Sequence, residues 1–181
     1  MSRTSLTVQR LARLALLAAA AVVLGYIEGL LCAVMLLPPG IKLGLANTVL
    51  LYAVYLLGPG SAVLLMLLKV VLTGFMSGNL FAAFFYSMGG GILSLIAMLV
   101  TKKLGGEKIS IVGVSVMGAV FHNVGQLLVA SVILRTSKLM LYVFVLLIAA
   151  VVTGVITGLA GQQIVRVLRL PGQGNGRGSD K

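Results

Sequence analysis

The chain has 181 residues, 60% of them hydrophobic and 9% charged, with a mean hydropathy of +1.15. A soluble domain usually carries about 25% charged residues, so this composition excludes a water-coated globule and points to a one-domain integral membrane protein. The net charge of +11 reads as basic residues holding cytoplasmic helix ends, not as a nucleic-acid footprint.

The acids are Glu28, Glu107 and Asp180, and the chain has one His (His122) and one Cys (Cys32). That inventory excludes paired-carboxylate hydrolysis and multi-carboxylate metal sites. It also excludes a His/Cys zinc site within one chain and an internal disulfide. No cofactor is expected, and Cys32, in an apolar run, reads as a packing residue.

Residues 1–13 form a basic flank with Arg3, Arg10 and Arg13. The apolar run that follows is too long for a cleaved signal and predicts a first membrane helix from Leu14 to Leu37. Pro38, Pro39 and Gly40 end it. Further apolar segments run from Leu43 to Leu57, Ser61 to Ser77, Leu80 to Val100, Ile109 to Leu134 and Leu139 to Val165. The breaks between them include "GPG" (58–60), "TKKLGGEK" (101–108) and "RTSK" (135–138). Residues 166–181 form a Gly-rich polar tail, expected to be a disordered cytoplasmic segment. The fold class is therefore all-α, a six-transmembrane-helix bundle over residues 14–165. The second and third segments are short for a span of about 20 residues, and a re-entrant segment is the alternative.

Lys and Arg set the orientation. Arg3, Arg10 and Arg13, then Lys102, Lys103 and Lys108, then Arg166, Arg169, Arg177 and Lys181 fall on one side of an even-numbered bundle. Only Lys42, Arg135 and Lys138 fall on the other. Both termini are expected in the cytoplasm of a multi-pass cell-membrane protein.

Polar side chains within the spans are costly and usually face the interior. The candidates are Glu28, Asn47, Lys69, Asn79, His122, Asn123 and Gln126, most of them between the midplane and the outer surface. Ser115, Ala119, His122 and Gln126 recur at four, three and four residues, so they share one helix face, with Asn123 at its edge. Such groups either line a ligand pocket or hydrogen-bond between helices as glue. His, Asn and Gln within five positions favour the pocket. Glu28 and Lys69 are either a buried structural ion pair or part of an ion path.

Small residues form the other pattern. "GYIEG" (25–29), "GFMSG" (74–78), "GVITG" (154–158) and "MGGG" (88–91) permit close helix approach. Ala15, Ala18, Ala19, Ala20 and Ala21 give the first helix a smooth surface, for internal packing or for docking another membrane protein.

Two stretches carry a family resemblance. "PPGIKLGLANTVLLYAVYLLGPGSAVLLMLLKVVLTGFMSGN" (38–79) and "ISIVGVSVMGAVFHNVGQLLVAS" (109–131) resemble the Gx transporter family, also called heptaprenyl diphosphate synthase component I. "KLGLAN" (42–47) and "FHNVGQ" (121–126) are its more specific parts. Gly58-Pro59, Lys69 and Gly74 are more distantly similar to the layout of substrate-binding S components of energy-coupling-factor transporters. That resemblance implies a small-residue docking motif on the first helix, for which Ala15-xxx-Ala19 is the candidate. It also implies an outward-opening site with Pro39, Gly40 and Lys42 in its lid.

The two family names imply different functions. Prenyl synthases hold diphosphate through Mg²⁺ on aspartate-rich motifs, whereas the lone Asp here is in the tail, and the chain has no Walker A sequence. It is therefore not expected to be an enzyme. The leading expectation is a substrate-binding subunit of energy-coupling-factor type, working with a coupling membrane protein and ABC-type ATPases. His122, Asn123 and Gln126 would bind a small molecule between helices four to six. Asn47, Asn79, Lys42, Glu28 and Lys69 would support them. The alternative is a non-catalytic membrane accessory to a soluble prenyl synthase in isoprenoid quinone biosynthesis.

Overall fold

Leu, Ala, Arg and Gln are strong helix formers, and no Gly or Pro stands between Arg3 and Leu24. In the computed structural model the first helix, α1 (Arg3–Val34), accordingly starts within the basic flank rather than at Leu14. The structure describes residues 3–34, 44–76, 80–106, 108–136, 141 and 143–169. The expected lid residues Pro39, Gly40 and Lys42, with Asn79 and the tail from residue 170, lie outside them.

The described residues form six helices. α2 (Leu45–Tyr52) continues into a π-helical turn, Ala53–Leu57. α3 is Pro59–Met76, α4 Leu80–Gly105, α5 Ile111–Ile133 and α6 Val143–Arg169. α4 outruns its expected end at Val100 because Lys102 and Lys103 in its last turn complement the carbonyl end of the helix dipole. Ser110 caps α5, its hydroxyl accepting from the Gly113 amide at 3.2 Å.

α1 and α4 to α6 each contain a stretch long and apolar enough to cross a membrane, as in Leu11–Leu31 and Ile111–Ile133. α3 reaches about 27 Å and α2 with its π turn about 20 Å, at about 1.5 Å per residue. A hydrocarbon core is about 30 Å thick. On length, α2 begins or ends inside the bundle.

α5 lies between α4 and α6, while α1 packs on α2 and α3. Glycines set the close approaches. A Cβ on Gly89 of α4 would stand 3.0 Å from the Gly125 carbonyl oxygen of α5. One on Gly154 or Gly158 of α6 would stand 2.7 or 2.8 Å from the α carbons of Val116 or Val112. "GYIEG" behaves otherwise: a Cβ on Gly25 would only reach Ala46 at 3.9 Å, and one on Gly29 would meet open space.

At the far end of α2 the π turn leaves the Val54 carbonyl available, and Lys102 Nζ donates to it at 2.6 Å while standing 4.5 Å above the Tyr55 ring. This bond puts the end of α4 beside the α2–α3 turn.

The side-chain distribution is inverted relative to a soluble fold. Leu16, Val34, Phe75, Phe81, Phe144 and Ile148 are exposed, whereas Glu28, Asn47, Ser94, His122 and Gln126 are buried.

Candidate functional site

Four of the polar residues expected to matter come together. Glu28 from α1, Asn47 from the first turn of α2, Lys69 from α3 and His122 from α5 line one cavity of about 50 Å³. One water needs about 10–15 Å³ by this measure, so the space suits a few waters or a small solute. Gly25, Gly44, Thr73, Ser87 and Gly91 complete much of the wall. The wall is built from α1 to α5, whereas the sequence expectation placed the pocket among helices four to six.

The first turn of α2 is the centre of this site. Gly44 precedes it with φ of 76°, a left-handed conformation that only glycine adopts without strain. Its amide is one of the donors that a helix start leaves without a partner inside the helix. Glu28 Oε1 accepts from that Gly44 amide at 2.6 Å, adding a negative charge where the helix dipole favours one. Lys69 Nζ donates to Asn47 Oδ1 at 2.8 Å. Glu28 and Lys69 thus each hold the start of α2, one from α1 and the other from α3.

His122 is buried and pressed against α4, where a Cβ on Gly90 would stand 2.9 Å from its imidazole Nδ1 and 2.7 Å from Gln126 Cγ. Glycine at position 90 lets α4 come down on this face of α5. Gln126 is buried one turn beyond His122 against the same glycine and does not line the cavity. Asn123, 100° round the helix from His122, donates through Nδ2 to the Leu146 carbonyl of α6 at 3.1 Å. Its bond is interhelical glue. Ser115 and Thr157 share a hydrogen bond of 3.0 Å between α5 and α6, and Thr157 also donates to the Thr153 carbonyl at 2.8 Å.

The sequence reading missed Thr73 and Ser87. Thr73 is one turn from Lys69 on the same face of α3, and Ser87 immediately precedes the "MGGG" run, so both carried a positional signal. Among the described residues no three His, Cys, Asp or Glu side chains gather as a metal site would require.

Apolar side chains outside, polar ones inside and helices of membrane-crossing length define an α-helical membrane protein with a small polar cavity in its interior. The chain belongs to the heptaprenyl diphosphate synthase component I family, whose model matches residues 17–164. No curated protein and no solved structure matches it.

Proposed function

We propose that this chain is a non-catalytic, substrate-binding membrane subunit of energy-coupling-factor type, set in the cell membrane with six membrane segments and both termini in the cytoplasm. The observation that carries the reading is the cavity. Two ionisable groups, Glu28 and Lys69, converge with Asn47 and His122 inside a bundle whose outer surface is apolar. Polar groups at that depth are expensive for packing alone and mark ligand or ion sites. The short α2, whose N-terminal turn borders the cavity, resembles the interrupted helices on which membrane transporters build such sites. Ala15 and Ala19, exposed on α1, give a coupling protein a surface of small side chains to pack on. Without a Walker A sequence, energy would come from partner ATPases.

The family match favours a second reading. A component I is by name one part of an assembly, and its partner would then be a soluble, aspartate-rich prenyl synthase. This chain, with Asp180 as its lone aspartate, would be the accessory that presents or receives a lipid.

Gentle purification from the native membrane, with mass spectrometry of what accompanies the chain, separates the two. A coupling membrane protein with paired ATPases is the expected result. Recovery of a soluble prenyl synthase instead, with no ATPase, would overturn the transport reading.

A further inference from the structure

The inward stripe of α1 loses bulk as it nears the cavity. Leu14, Ala18, Ala21, Gly25 and Glu28 recur at four, three, four and three residues, so they share the face that packs on α2 and α3. Leu14, Ala18, Ala21 and Glu28 are buried, yet Gly25, between two of them, is only half-buried. The cavity accounts for the difference, because Gly25 is part of its wall.

Among the described residues three glycines line the cavity, and two of them have a structural reason. Gly44 holds a left-handed φ of 76°. A Cβ on Gly91 of α4 would stand 3.0 Å from Met66 Sδ and 3.1 Å from Met66 Cγ, so glycine there lets α4 meet α3. Gly25 has neither reason. It lies within α1 with a helical backbone, and among the described residues a Cβ placed on it would meet only Ala46 Cβ, at an ordinary contact distance of 3.9 Å. Ala46 lines the cavity too, so the added carbon would stand within its bounds. After proline, glycine is the residue a helix interior tolerates least, and close packing does not require it at this position. What a side chain at position 25 would take up is cavity. The space measures about 50 Å³, against about 10–15 Å³ for one water, so a single methyl group would fill a substantial share of it.

We infer that Gly25 is the size-determining residue of the cavity: the side chain it lacks leaves room for the guest, which lies against the α1 backbone between Ala21 and Glu28. The inference rests on the reading of the chain as a ligand-binding subunit and names the residue by which that site selects its ligand by size.

The test puts a reporter thiol on another wall. In the full chain carrying Cys32→Ser, Ser87→Cys places a single thiol on α4, facing the same cavity. The probe is methyl methanethiosulfonate, which the thiolate attacks to form a methyl disulfide with release of methanesulfinate. Intact-mass spectrometry follows the reaction in lipid nanodiscs. With Gly25 in place the thiol is expected to react. Gly25→Ala should slow the reaction, and Gly25→Val should slow it at least about tenfold, the rate equivalent of overfilling a packed space. Gly29→Val is the control: Gly29 does not line the cavity, and a Cβ there meets nothing within 4 Å among the described residues, so the rate should not change. Thermal unfolding accompanies each variant, and Gly25→Ala should hold or raise the midpoint, as a better helix former with room around it does. A rate indifferent to Gly25→Val would overturn the size limit and leave an accessible cavity standing. A lowered midpoint in Gly25→Ala would mean that glycine serves packing there and would also overturn it. A Ser87→Cys thiol that reacts in the unfolded chain but in no folded background would mean a cavity closed to solutes, and the ligand-binding reading would fall with the inference.

Discussion

His122 and Gln126 sit one turn apart on α5, yet they meet different surroundings. His122 borders the cavity, whereas Gln126 is packed beneath Gly90. His122→Ala should therefore weaken binding of the cavity's ligand by about tenfold, the value of one hydrogen bond to a charged group. Gln126→Ala should leave that affinity within about twofold, below what one lost hydrogen bond costs. Equal losses in the two variants, measured by equilibrium binding to the chain in lipid nanodiscs, would return Gln126 to the binding site. The sequence made both residues visible for one reason: an imidazole and an amide are costly in an apolar helix. It did not separate them, because Gly90 of α4 packs against both, and only the way α1 to α3 meet α5 leaves His122 on the cavity wall. Asn123 was equally visible, but its azimuth on the helix sends it to the Leu146 carbonyl. Glu28 and Lys69 stood out as buried charges, and their shared hold on the start of α2 depended on how three helices meet.

At the scale of the helix, glycine is where sequence pattern and geometry agree in some places and part in others. "MGGG" and "GVITG" do seat α4 and α6 on α5. A Cβ on Gly125 would stand 2.8 Å from the Gly89 carbonyl carbon and 2.9 Å from Leu93 Cδ1. Backbone cannot rotate out of the way, so Gly125→Ala must push α4 and α5 apart and should destabilise the chain by about 1–3 kcal/mol. Gly29→Ala adds the same methyl to a helix where nothing stands within 4 Å, and helix propensity makes it neutral or stabilising by up to about 1 kcal/mol. Thermal unfolding of the two variants in one detergent checks the contrast, and equal destabilisation would mean that close approach is not what Gly125 provides. The small-xxx-small pattern alone does not tell these sites apart, because it records spacing along one helix and not what faces it. α2 was similarly half legible. Its apolar run and terminating Gly58 gave its extent, but the π turn at Ala53–Leu57 is held by Lys102, whose side chain arrives from 48 residues further along the chain.

At the scale of the whole molecule, α1 presents two faces. Leu14, Ala18 and Ala21 turn into the bundle and are buried, while Ala15 and Ala19, one residue later in each turn, are exposed. The Ala-rich stretch is therefore divided between internal packing and an outward strip, a split that helix periodicity permits but composition does not assign. Lipid needs no small residues to cover a helix, whereas another helix does, since close backbone approach is what Ala and Gly allow. If a coupling protein seats there, Ala15→Trp or Ala19→Trp should abolish its co-purification and leave ligand binding intact, because neither residue lines the cavity. Ala18→Trp, placed at a position only 4% exposed, should instead lower thermal stability and ligand binding together. That pairing separates a lost partner from a damaged fold. Should both outward variants still bring down the partner, docking lies on another face. The exposed apolar side chains of α6, Phe144 and Ile148 among them, would then be the next surface to probe.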